Sequence, residues 1–212
     1  DASTAHRTLP DWAYGFPELS SAHEEKVLAS KRIAVPGCHA SGFVALVAPL
    51  IREGVLKKDT ALSCFSLTGY SGGGKKMIAE YEAAERSPLL KGPRQYALTQ
   101  QHKHLKEMVK LCGLETAPVF CPIVGDFYSG MAVTVPLFAG ATKGTAADIQ
   151  HHGVACPGYL TAPRISHNLL CDIQEHPHTG SSHRMPAANE SSAGIDRLFP
   201  AKGDEAGLNS LK

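Results

Sequence analysis

Charge imbalance is missing from this chain. Its 21 Lys and Arg nearly cancel its 20 Asp and Glu, leaving a formal net charge of +1. That is too weak a field to hold nucleic acid or an anionic membrane surface. No apolar run reaches the roughly 20 residues of a membrane-spanning helix. The first residues lack a basic stretch followed by an apolar one, so no signal peptide is visible. There is no internal repeat. Compact metal-ligand spacing is missing too: His151, His152, Cys156, Cys171, His176, His178 and His183 match no zinc pattern and read as scattered solvated side chains. The six cysteines (Cys38, Cys64, Cys112, Cys121, Cys156, Cys171) lie far apart, four of them in apolar, element-like segments. That usage predicts reduced thiols in a cytoplasmic protein rather than a disulfide framework.

With 212 residues, 43% of them hydrophobic, the chain can bury a sizeable core. Residues 1–19 look irregular. Ser21-Ala22-His23-Glu24 reads as a capping box opening a helix that runs to about Ser30. A β-type run over 32–35 stops at Pro36-Gly37, and a helix is predicted over 38–52, with Gly54 ending it. Further strands are predicted over 61–67, 95–99, 118–124 and 131–138. A Gly/Ser loop spans 68–74, and helices are predicted over 75–86 and 102–112, the latter closed by Gly113. Strands alternating with helices indicate an α/β or α+β domain. Beyond 138 the periodicity fades, and only fragments such as 167–173 suggest an element.

Four motifs could carry chemistry. Ala34-Val35-Pro36-Gly37-Cys38 puts a thiol on the first turn of a helix, where unpaired N–H groups and the dipole favour a thiolate. The alternative is a buried cysteine acting as a small hydrophobe. Gly69 to Lys75 fits G-x-x-x-x-G-K, yet Lys76 stands where a nucleotide-binding P-loop needs Ser or Thr for magnesium. The Ser71, Gly72, Gly73, Gly74 stretch is therefore either a phosphate- or cofactor-contacting loop or a flexible turn. His102-Lys103-His104 offers a base and acid for a thiol reaction, or else a solvent-exposed histidine pair. Asp126-Phe127-Tyr128-Ser129-Gly130-Met131 either lines a pocket or forms a turn with packed aromatics.

Taken together, and with Tyr14-Gly15-Phe16-Pro17-Glu18-Leu19, these motifs resemble the N-acetyl-γ-glutamyl-phosphate reductase family, closest to its shorter form. Tyr96-Ala97-Leu98 and His102-x-His104-x-x-Glu107-Met108 are similar to further family segments. Two positions of the cysteine signature differ: His39 stands where the family usually has Tyr or Phe, and Ser41 where it has Thr. The resemblance implies an α/β fold: an α+β catalytic domain of the glyceraldehyde-3-phosphate-dehydrogenase-like type, with the trailing edge of a Rossmann domain. Residues 1–37 would be the remnant of the NADP-binding domain, 38–138 the catalytic and dimerisation domain, and 139–212 its divergent remainder. The family's opening Gly-x-x-Gly-x-x-Gly turn and its closing Leu-Gly-Lys-Gly-Ala segment have no copy here.

The implied reaction is NADPH-dependent reductive dephosphorylation of an acyl phosphate to an aldehyde through a Cys38 thioester, with His102 as base and acid. His104, Tyr96 and Glu18 would support them, and Ser71, Gly72, Gly73 and Gly74 would contact the cofactor. No metal, nucleic acid or membrane partner is implied, and a homotetramer is. The alternatives are a reductase for aspartyl or N-acetyl-aminoadipyl phosphate, and a truncated, non-catalytic relative.

Overall fold

A computed structural model describes residues 1–143, residue 149 and the backbone of 168–173. Its frame is a mixed five-stranded sheet built from β3 (Ser63–Gly69), β4 (Arg94–Gln95), β5 (Val119–Gly125), β6 (Met131–Pro136) and β7 (Asn168–Ile173). The strand order is β4-β5-β3-β6-β7. β3 and β5 run parallel, and the other pairings are antiparallel. A parallel pair of short strands, β1 (Ala13–Tyr14) and β2 (Ile33–Ala34), brackets helix α1 (Ser21–Ala29).

Alternation along the strands separates two faces. Cys64, Ser66 and Thr68 of β3, Phe120 and Val124 of β5, and Val133 and Val135 of β6 are buried. Over them lies α2 (Cys38–Arg52), whose inward residues include Phe43, Val44, Leu46, Val47 and Leu50. These residues join Met108 and Cys112 of α4 (Leu105–Cys112) in one core, together with Tyr14, Phe16 and Leu19. Gly42 lets α2 approach the sheet: a Cβ there would stand 2.6 Å from Val133 Cγ2. The opposite face carries Phe65, Leu67 and Val119, all exposed, and no described helix covers it.

The predicted elements are present with shifted ends. Helix α2 has the predicted bounds, and Gly54 closes it at φ +71°. The α1 cap is Ser20, one residue early, its Oγ accepting the His23 N–H at 3.3 Å. Helix α3 (Gly74–Glu82) stops short of 86, where Arg86 instead pairs with Asp126 through two bonds of 2.6 and 2.7 Å. The strand predicted over 95–99 leaves the ladder after Gln95, because Ala97 (φ +53°) and Gln100 (φ +57°) turn left-handed. The Gln100 amide then does the pairing, donating to Phe120 O and accepting from Phe120 N, both at 2.8 Å. The helix predicted from His102 begins three residues later, at Leu105. His102 sits in the preceding turn, its Nδ1 accepting the His104 N–H at 3.2 Å and its carbonyl accepting the Leu105 N–H at 3.1 Å.

In the C-terminal third, the fragment noted at 167–173 is the edge strand β7, paired along its whole length with β6. Of its scattered His and Cys residues, Cys171 stands in β7 opposite Val133; the others, and the expected irregularity of the rest of that region, lie outside the described residues. Among the described residues, Cys64, Cys112 and Cys121 are free thiols, and no helix is long and apolar enough to cross a membrane.

Candidate active site

Cys38 is the first residue of α2, with Gly37 as its N-cap in extended backbone (φ −75°, ψ 137°). The first intrahelical bond runs from Ser41 N–H to Gly37 O at 2.8 Å, and Ser41 Oγ donates to the same oxygen at 3.0 Å. The N–H groups of the first turn ahead of it have no partner within the helix. A cleft of about 380 Å³ opens over Cys38. Arg7, Thr68, Gly72, Gly73, Tyr96, His102 and His104 contribute to its wall.

The Cys38 Sγ and one ring nitrogen each of His39 and His104 lie within 4.8 Å of one another. His104 is buried, and its Nδ1 has no hydrogen-bond partner. Burial, aided by the neighbouring His102, lowers its pKa to about 2, so the imidazole stays neutral. Its other edge rests on Gly37, where a Cβ would come within 2.4 Å of His104 Nε2. His102 is half-buried and stands edge-on to His104, ring centroids 4.6 Å apart, outside the close group around the thiol. Burial lowers its pKa as well. The sequence expectation made His102 the partner of Cys38; in the structure His104 belongs to the close group around the thiol and His102 stands edge-on beside it.

Two side chains that the sequence left without a role anchor the site. Glu107 is fully buried and accepts from Arg7 Nη1 (3.0 Å), Tyr14 Oη (2.9 Å) and the Gly37 N–H (2.9 Å). It thereby ties the N-terminal segment and the turn before Cys38 to helix α4. Burial and the Glu107 carboxylate raise the Tyr14 pKa. The clue in the sequence was the i, i+3 spacing of His104 and Glu107, which sets both on one side of a helix start; Arg7 gave no signal, since it lies in an irregular stretch. The second is His39, discussed below.

The glycine segment forms a 3-10 turn over Tyr70–Gly73 leading into α3. Gly72 and Gly73 reach the cleft, while Ser71 and Gly74 are not part of its wall. Asp126 to Met131 braces this turn: Tyr70 N–H donates to Phe127 O (3.0 Å), Ser71 N–H to Tyr128 O (2.9 Å) and Gly69 N–H to Gly130 O (2.9 Å). Glu18 also lies away from the cleft. It is exposed on the turn Pro17–Leu19, whose neighbours Phe16 and Leu19 point into the core and turn it outward.

Residues 38–153 match the family described as semialdehyde dehydrogenase, dimerisation domain. The N-acetyl-gamma-glutamyl-phosphate reductase of Sinorhizobium medicae is 45% identical over 67% of this chain and 48% of its own length. That of Burkholderia lata is 35% identical over 84% of this chain and 56% of its own. The chain thus spans about half the length of the relatives it matches. Among solved structures, aspartate semialdehyde dehydrogenase from Francisella tularensis shares the fold with a TM-score of 0.54 at 13% identity, over 76% of this chain and 56% of that one. Aspartate semialdehyde dehydrogenase II from Vibrio cholerae gives a TM-score of 0.51 at 14% identity, over 72% and 51%. The chain belongs to the semialdehyde dehydrogenase family, and the curated relatives it matches are N-acetyl-gamma-glutamyl-phosphate reductases.

Proposed function

We propose that this chain forms the catalytic part of an N-acetyl-γ-glutamyl-phosphate reductase, an enzyme of arginine biosynthesis. The observation that carries the proposal is Cys38 on the first turn of α2, inside a cleft, with a neutral imidazole in reach. Cys38 Sγ attacks the acyl carbon of the acyl phosphate. The S–C bond forms, the C–O bond to phosphate breaks, and phosphate leaves with the electron pair, giving a thioester. His104 takes the thiol proton: its neutral ring belongs to the close group around the sulfur and, unlike that of His39, keeps a ring nitrogen without a hydrogen-bond partner. His102, closer to solvent, is the alternative base. The N–H groups of the first α2 turn face the oxyanion that forms at the acyl oxygen. Glu107 fixes Gly37, and with it the position of Cys38.

NADPH, when bound, supplies the hydride that reduces the thioester to the aldehyde level. The residues present fit its reacting end: Gly72 and Gly73 carry no side chain where they reach the cleft beside Cys38. The bare sheet face with Phe65, Leu67 and Val119 is the surface on which a second copy docks, in keeping with the dimerisation-domain family; a homotetramer is the assembly proposed. The free thiols fit a cytoplasmic setting.

The test is turnover and phosphate release in the complete enzyme. Cys38→Ala abolishes both; retained turnover would refute the nucleophile. His104→Asn lowers the acylation rate more than His102→Asn does. The reverse order would return the base to His102.

A further inference from the structure

His39 takes no part in the acyl transfer just described, yet it is among the most enclosed polar side chains next to Cys38, 3% exposed. Its two ring nitrogens are both engaged. Nδ1 lies 2.6 Å from Ser66 Oγ on β3, and Nε2 lies 2.8 Å from Tyr96 Oη. Ser66 is completely buried and Tyr96 lines the cleft.

The direction of these two bonds follows from burial. Burial, with His102 and Lys103 nearby, holds the His39 pKa at about 3, so the ring is neutral, with one nitrogen donating and the other accepting. Among the described residues the Ser66 hydroxyl has no other side-chain partner than Nδ1. If Nδ1 carried the proton, the Ser66 hydrogen would be buried with no acceptor, and an unmet buried donor costs about 1–3 kcal/mol. Ser66 therefore donates to Nδ1, and the proton sits on Nε2 and is donated to Tyr96 Oη. Tyr96 cannot then give its own hydrogen back to His39. Its hydrogen is left to point into the cleft that it shares with Cys38.

We propose that the buried Ser66–His39 pair is a positioning device that sets Tyr96 as a hydrogen-bond donor toward the oxyanion formed when Cys38 attacks an acyl group. The inference rests on the acyl-transfer reading of Cys38. Tyr96 keeps its proton throughout: the carbonyl electron pair moves onto oxygen as the S–C bond forms, and returns as the bond to the leaving group breaks. Burial and Cys38 raise the Tyr96 pKa to about 12, so the phenol remains a donor across the working range. Ser66 and His39 touch no substrate and act only through Tyr96.

Two reactions of the same sulfur separate this role from general damage. Acylation of Cys38 in the full chain by acetyl phosphate or p-nitrophenyl acetate passes through an oxyanion; alkylation by iodoacetamide does not. Tyr96→Phe is expected to slow acylation by about tenfold to a hundredfold, at or below the effect of losing one oxyanion donor, and to leave alkylation within about twofold. His39→Phe gives a similar loss, and the double variant is no slower than the worse single one, as for residues acting through one bond. Ser66→Ala gives a smaller loss of the same kind. Unchanged acylation in Tyr96→Phe, or losses that multiply in the double variant, would overturn the proposal. Should His39→Phe slow alkylation as well, His39→Gln decides, since its amide N–H can still reach Tyr96: kept acylation supports the device and lost acylation overturns it. Cys38→Ala is the control for the underlying reading, because acylation that survives it means that Cys38 is not the acceptor at all.

Discussion

The two faces of the central sheet have the same alternation and opposite uses. On one, α2 and α4 seal Cys64, Ser66, Phe120 and Val133 into a core, and the edge of that core holds Cys38, His39 and His104. On the other, Phe65, Leu67 and Val119 stand exposed, with no titratable cluster beside them among the described residues. One face holds a reactive thiol in a fixed place; the other offers apolar area for a partner. Two of the buried polar groups on the first face are firmly tied down, while His104 keeps one ring nitrogen unpartnered. Glu107 has three donors, and His39 has two partners.

The sharpest way to break the covered face is at Glu107. Glu107→Ala leaves Arg7 buried without its carboxylate and frees the Gly37 N–H. A loss of about 3–5 kcal/mol is expected, measured by denaturant unfolding, together with slowed alkylation of Cys38. A loss under about 1 kcal/mol would contradict the anchoring role. Apolar truncation then compares the two faces directly. Leu46→Ala, beneath the sheet cover, should cost about 2–5 kcal/mol, whereas Leu67→Ala should stay within about 0.5 kcal/mol in the monomer. Equal losses would mean that the bare face is already covered within one chain.

Acid should also act on the covered face. His39 (pKa about 3) and His104 (about 2) are held below the ordinary histidine value of 6.5. The unfolded chain therefore binds more protons below pH 6.5. Their contribution to stability is complete above that pH and is lost as the pH falls toward 3. Between pH 6.5 and 5 each histidine should remove about 2 kcal/mol. A pH-independent Tm in that window would show the two rings to be solvated. The smallest effect expected on folding comes from Phe65→Glu on the bare face. It should lower the oligomeric state in sedimentation and leave the alkylation rate of Cys38 unchanged; an intact oligomer would place the partner surface elsewhere.

Much of this comparison was legible in the sequence where local signals agree. Helix α2 declared itself through Pro36-Gly37 before it, an apolar face along it and Gly54 after it. Cys38 was placed on its first turn for the same reason. Boundaries set by tertiary contacts were not legible. Gln100 replaces a strand with its side chain, and His102 folds back on the His104 N–H, so the helix starts late. Which ring stands beside the thiol was not legible either, since it depends on the packing of His104 on Gly37. Arg7 and Ser66 gave no signal at all: their partners lie 100 and 27 residues away.

The measurement closest to the central claim is the pH dependence of Cys38 alkylation in this chain, with the adduct mapped to Cys38 by mass spectrometry because Cys121 is also half-buried. An apparent pKa clearly below the roughly 8.5 of an ordinary thiol, with one equivalent of phosphate released on adding N-acetyl-γ-glutamyl phosphate, is the result expected of an assembled acylation site. A pKa at or above that value, with no phosphate released, would contradict it.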